Sequence, residues 1–98
     1  MFVHDKLAHN FYEDSQIGAP NYRLHYHLIK NDKVMAIDHV FVNPEIKNPN
    51  TDKLIETAIS WAKEHKLMIM PLGPTILAYF QENETKLAKI WYKKQTNE

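Results

Sequence analysis

Cysteine is absent from this sequence. Disulfides, thiolate metal sites and a cysteine nucleophile are therefore excluded. A charge excess is absent as well: 12 acidic and 12 basic side chains leave a formal net charge of zero. A general nucleic-acid binder normally carries a basic excess or stripe, so no nucleic-acid partner is expected. No apolar run approaches the length that spans a membrane, and the N-terminus lacks a signal-peptide pattern. The expectation is a cytoplasmic protein with no membrane partner. Internal repeats and low-complexity segments are also missing. What is present is 98 residues, 44% of them hydrophobic. That describes one globular domain over residues 1–98 with one core.

The chain is organised around Val34 to Lys66. VMAIDHVFV, Val34–Val42, is rich in β-branched and aromatic residues and free of Gly and Pro, as a strand should be. TDKLIETAISWAKEHK, Thr51–Lys66, repeats apolar residues at Leu54, Ile55, Ala58, Ile59 and Ala62. This i, i+3, i+4 spacing predicts a helix with one buried face. Pro49 suits its first turn with Asn48 as N-cap, or Asn50 or Thr51 caps a later start. The first N–H groups of such a helix face whatever lies beyond the strand, a generic anion site. A capped helix with no ligand is the plainer reading.

Upstream, Met1 to Tyr12 predicts one or two short strands, and Glu13 to Asn21 a turn containing Gly18 and Pro20. Tyr22–Lys30 alternates. Tyr22, Leu24, Tyr26 and Leu28 face one way; Arg23, His25, His27 and Ile29 face the other. Asn31-Asp32 predicts a hairpin turn. With a two-residue loop, Tyr26 pairs with Ile37, His25 with Asp38 and Leu24 with His39; a longer loop shifts every pair. Downstream, Leu67–Met70 predicts a buried strand added parallel to the sheet. Pro74 opens a helix over Thr75–Gln81 that buries Ile76, Leu77 and Phe80. A last amphipathic segment carries Leu87, Ile90 and Trp91 on one face, with Lys93 and Lys94 near its end. The order describes an α+β domain with a mixed sheet: an antiparallel meander, a βαβ crossover and C-terminal helices.

IDHVFVNPE (Ile37–Glu45) and LMIMPLGPTILAYF (Leu67–Phe80) resemble the strand-end signature and the following strand and helix of the small GNAT-type N-acetyltransferases. The similarity runs over residues 8–84. The resemblance implies a GNAT-like fold that holds acetyl-CoA in a splay between the strand ending at Val42 and the strand ending at Met70. The pantetheine arm would bond to strand backbone near Phe41 and Val42. The pyrophosphate would meet the helix N-terminus, with Lys47, Asn48, Asn50, Thr51 and Lys53 around it. Two positions depart from the family. Its Arg/Gln-x-x-Gly-x-Gly/Ala turn is replaced here by Ile46–Lys53, which has no glycine, places Pro49 where an N–H is wanted, and adds Asp52. Where the small members usually carry a cysteine after the strand, this chain has Gly73.

By the same resemblance, His39 lies near the acyl site, as base or substrate orienter. A partly buried histidine bonded to backbone is the alternative. Tyr79 falls in the region that supplies a general acid toward the CoA thiolate, or else it packs in the core. His25, His27 and Asp38 share a sheet face if the strands pair as expected. They read as a dyad, half a metal site, or a solvated charge-assisted pair. His4, His9 and His65 show no ligand spacing, so no metal is expected. Three functions fit. The first is acetyl-CoA-dependent N-acetyl transfer, directly to a small-molecule or protein amine. The second is a GNAT-fold binding module without that chemistry. The third is a homo-oligomer subunit using its aromatic C-terminal segment. Monomer and homodimer both remain open.

Overall fold

The structure, a computed structural model, describes residues 2–93. Met1, at the start of the first expected strand region, and Lys94, at the end of the last amphipathic segment, lie outside the described residues. Five strands form one sheet in chain order: β1 (Val3–Asp5), β2 (Asn10–Asp14), β3 (Pro20–Ile29), β4 (Val34–Val42) and β5 (Met68–Pro71). The first four pair antiparallel, and β5 joins β4 in parallel. Helix α1 (Thr51–Glu64) makes the β4–β5 crossover, followed by α2 (Pro74–Glu82) and the short α3 (Glu84–Leu87). This is the expected mixed-sheet α+β architecture.

The apolar spacing of α1 does what it predicts. Leu54, Ile55, Ala58, Ile59 and Ala62 are buried, and they join Tyr22, Leu24, Tyr26, Met35 and Ile37 in one core. The helix stops at Glu64, two residues earlier than expected, because Lys66 turns left-handed (φ 59°) to send Leu67 back toward the sheet. Its N-cap is Asn50, one of the open choices. Asn48 instead takes the left-handed conformation (φ 52°) in the preceding turn. Asparagine tolerates that conformation, so this turn bends without glycine. Helix α2 buries Ile76, Tyr79 and Phe80, whereas Leu77 is only half-buried. The last expected helix is a single turn. Beyond it, Trp91 lies beside β5 through a bridge to Ile69 and stacks edge-on against Phe80.

The hairpin pairs as the two-residue register predicts near its tip: Ile29 with Val34, and Tyr26 with Ile37. The loop itself is longer. Lys30, Asn31 and Asp32 are all left-handed, and the Lys33 N–H donates to the Ile29 carbonyl at 3.1 Å. Farther along, a β-bulge slips the register by one residue, so His25 pairs with His39 and Leu24 with Val40. The expected His25–Asp38 and Leu24–His39 pairs are thereby corrected. The extra residue on β4 is needed because Val40 and Val42 are apolar and Asp38 is not. One inserted residue returns both valines to the core face.

Candidate functional site

The bulge also resets the backbone. The Leu72 N–H donates to the Ile37 carbonyl at 2.9 Å, so at Ile37 the backbone faces β5. At the far end, the Asn43 N–H donates to the Asn21 carbonyl at 2.8 Å and so faces β3. Alternation from Asn43 turns Phe41 toward β3 and leaves Val40 and Val42 facing outward. The β4–β5 ladder ends at Ile37–Pro71, and beyond the bulge His39–Val42 pairs with β3 alone. Because β5 ends at Pro71 while β4 runs on to Val42, the place of the expected splay is an open β4 edge, and it offers the Val40 and Val42 N–H groups. Phe41, expected to share this role, spends its N–H on β3 instead.

Gly73 and His39 meet beside this edge. A Cβ built on Gly73 would stand 3.1 Å from the Asp38 carbonyl oxygen and 3.8 Å from the His39 backbone nitrogen. The His39 side chain is exposed. Tyr79, on the helix that starts one residue after Gly73, is 9% exposed. Burial pushes its hydroxyl pKa above the ordinary value, and the Glu56 and Asp52 carboxylates add to the rise. It therefore remains a protonated donor across the neutral range. No hydrogen bond joins Tyr79 to His39 among the described residues.

Lys47, Asn48, Asn50 and Lys53 are exposed around the start of α1, and Thr51 is half-buried. The Asn50 N–H donates to the Tyr22 hydroxyl at 2.9 Å. Pro49 has none to give. The free N–H groups of the first turn begin at Thr51, beside the exposed Asp52 carboxylate. A cavity of about 470 Å³ opens on the β1–β3 side of this helix start, away from the β4 edge. It is lined by Phe2, Glu13, Tyr22, Asn50, Lys53 and Thr57.

Two further groups involve histidines. His25 Nδ1–H donates to Asp38 Oδ1 at 2.9 Å, and His27 Nε2 lies 2.7 Å from Asp38 Oδ2. Burial alone would raise the Asp38 carboxyl. The bond and charge of His25, with those of His27, outweigh it and hold the pKa below the ordinary value. The second group was missed in the sequence. His4 Nε2 and the Tyr26 hydroxyl are bonded at 2.6 Å, while the His4 ring stacks on Phe11 at 4.1 Å and meets Trp61 edge-on. Burial first, then Lys6 and His65, lower the His4 pKa. The contact spans three strands, so no local spacing announces it.

No family model matches this chain, and no curated protein matches it. A solved structure does. It is a GCN5-like protein from Staphylococcus aureus, described as a candidate N-acetyltransferase. The TM-score is 0.66 at 18% identity, over 99% of this chain and 92% of that one. The likeness extends over nearly the whole of both chains and shows a GNAT-like fold. Among the described residues, no helix is long and apolar enough to cross a membrane.

Proposed function

We propose that this chain is an acetyl-CoA-dependent N-acetyltransferase that passes the acetyl group directly to an amine. The observation that carries the reading is the open β4 edge after Ile37–Pro71, with outward N–H groups at Val40 and Val42 and with His39 and Gly73 beside it. An extended acyl arm fits an unpaired strand edge, which supplies backbone donors at the period of a ladder. The pyrophosphate end fits less well. Pro49 has no N–H, the Asn50 N–H is taken by Tyr22, and Asp52 adds charge of the wrong sign. Lys47 and Lys53 offset part of that, and Thr51 supplies the first free N–H.

Acetyl-CoA would supply the acyl group as a thioester. The Val42 N–H, with Val40 beside it, polarises the carbonyl as charge develops on its oxygen. The attacking nitrogen forms the new C–N bond as the C–S bond breaks. His39 takes the proton the amine must lose, and the Tyr79 hydroxyl returns one to the departing sulfur. With glycine at position 73, no acyl-enzyme stage is available. The partner is a small-molecule or protein amine, and the chain works in the cytoplasm as a monomer or homodimer.

Calorimetric titration with acetyl-CoA and with free CoA tests the reading. Binding should be weak, because each missing charge-assisted bond to phosphate is worth about 1.5–3 kcal/mol. A low-micromolar dissociation constant would contradict this account of the turn. His39→Ala should lower turnover by roughly 10²–10⁴-fold and leave acetyl-CoA binding nearly unchanged. A second reading, a binding module without catalysis, is favoured by the engagement of Asn50 with Tyr22 at the helix start. Acetyl-CoA binding with no transfer across a broad amine panel would select it.

A further inference from the structure

We propose that His25, His27 and Asp38 form a binding site for a divalent transition-metal ion of the zinc class. The two histidines are alternate residues of β3, so both imidazoles stand on one face of the sheet. Their ring centroids are 4.9 Å apart and their planes nearly perpendicular, at 85°. Asp38 reaches the same point from β4 because the bulge sets it beside His25. Its two carboxylate oxygens each meet a different ring nitrogen, at 2.9 and 2.7 Å. One nitrogen from each histidine and a carboxylate oxygen thus converge, all within 4.8 Å of one another.

Chemistry makes this more than a surface ion pair. A neutral imidazole carries its one N–H on either nitrogen. Moving it from His25 Nδ1 and His27 Nε2 to the outer nitrogens turns two donors into two lone pairs and loses no proton. Those lone pairs and the Asp38 carboxylate then surround one point with a net charge of −1. Nothing nearby on β3 cancels that charge. Arg23, on the same face, is paired with Asp14 at 3.2 Å and lies over the Tyr12 ring. A tetrahedral ion with bonds of about 2.0–2.1 Å needs ligand atoms about 3.3–3.4 Å apart. Side-chain rotation closes that gap, since the three side chains keep 34, 55 and 31% of their surface exposed. The same exposure leaves a coordination position for water. Two nitrogens and one oxygen select zinc, nickel, cobalt or copper over the all-oxygen preference of magnesium and calcium. Bound metal would tie β3 to β4 across the bulge, independently of acetyl transfer.

The test is calorimetric and thermal titration of the intact protein with zinc chloride alone. One ion should bind per chain and raise the melting temperature, since it binds the folded form. His27→Ala and Asp38→Asn should each weaken binding at least tenfold, whereas His65→Ala should not. His27 is exposed, so its replacement leaves the fold intact, as circular dichroism would verify. Imidazole NMR of the unmutated protein supplies a readout that needs no variant: zinc should move the His25 and His27 resonances first. Three results would each overturn the site. They are the absence of one-to-one binding, movement confined to His4, His9, His39 or His65, and an equal response to magnesium.

Discussion

The β3–β4 hairpin has two faces built on one backbone. On the face toward α1, Tyr22, Leu24, Tyr26, Met35 and Ile37 are no more than 6% exposed. On the other face, His25, His27 and Asp38 each keep about a third or more of their side-chain surface in solvent. The first face holds the domain together; the second carries ionisable groups at little cost to it. The bulge beside His25 lets one strand serve both. It keeps Val40 and Val42 with the core while Asp38 joins the histidines, and it turns alternate N–H groups outward along the open β4 edge. A regular strand would have to give up one of these arrangements.

Emptying the core face gives the largest expected effect. Leu54→Ala or Ile59→Ala should cost about 2–5 kcal/mol, the range for large-to-small changes in a core. His27→Ala, across the sheet, should stay within about 0.5 kcal/mol. Urea denaturation of the three variants tests the comparison directly. Equal losses on the two faces would break it.

Gly73 stands where the contrast is narrowest, because it touches the bulge from the β5 side. Its backbone, at φ −83° and ψ 160°, suits any residue, so conformation does not demand glycine. Space favours it: the added Cβ would come 3.1 Å from the Asp38 carbonyl oxygen, so that backbone must give by a few tenths of an ångström. Gly73→Ala should therefore cost about 1–3 kcal/mol, as overpacking does. Gly73→Cys should show a similar loss and, in mass spectra after acetyl-CoA, no acetyl adduct that turns over. A stable Gly73→Cys protein that cycles through an acetyl adduct would mean that this end of the open edge is looser than its geometry.

How far the sequence reaches differs between the two faces for a physical reason. The α1 stripe and the alternation of Tyr22–Leu28 are periodic, and periodicity survives without knowledge of partners. The pairing of Tyr26 with Ile37 follows from a turn centred on Asn31-Asp32; the longer loop opens the pair flanking that centre and inserts no residue, so the register stays. The bulge breaks period two by a single residue, and no Gly or Pro in Asp38–Val42 marks it, so the pairs beyond it were misplaced by one. The His25–His27–Asp38 grouping is visible as shared facing, because an i, i+2 pair keeps its face and Asp38, the inserted residue, still follows the alternation of Val34 and Ala36. The Tyr22–Asn50 bond and the His4–Tyr26 contact join residues far apart in the chain. Nothing local in either partner encodes them.

Tyr26 links the two kinds of feature. It is 1% exposed in the core, yet its hydroxyl reaches His4. Tyr26→Phe keeps the ring and removes the bond, so it should cost about 0.5–1.5 kcal/mol, less than any emptied core site. Thermal denaturation against Leu54→Ala would rank the two. A loss as large as that of Leu54→Ala would show that the polar contact, and not the apolar packing, dominates this corner.

The smallest effect is a pH dependence, and its sign follows from burial. His4 has a folded-state pKa below 6.5, chiefly because its charged form is desolvated between Phe11 and Trp61. The unfolded chain therefore takes up a proton at this residue before the folded chain does. Where the unfolded state binds more protons, stability rises with pH. The His4 contribution is fully present above about pH 6.5, the unfolded value. It falls as the pH drops below that and levels off once the folded form also protonates. Asp38 acts in a separate, more acidic window. Its depressed pKa gives stability that is present above 3.8 and lost as the pH falls through the folded value. Denaturation midpoints measured from pH 7.5 to 5 should thus decline. His4→Phe, which keeps an aromatic ring against Phe11 but cannot titrate, should flatten the decline. If the slope persists in His4→Phe, the half-buried imidazole is not its source.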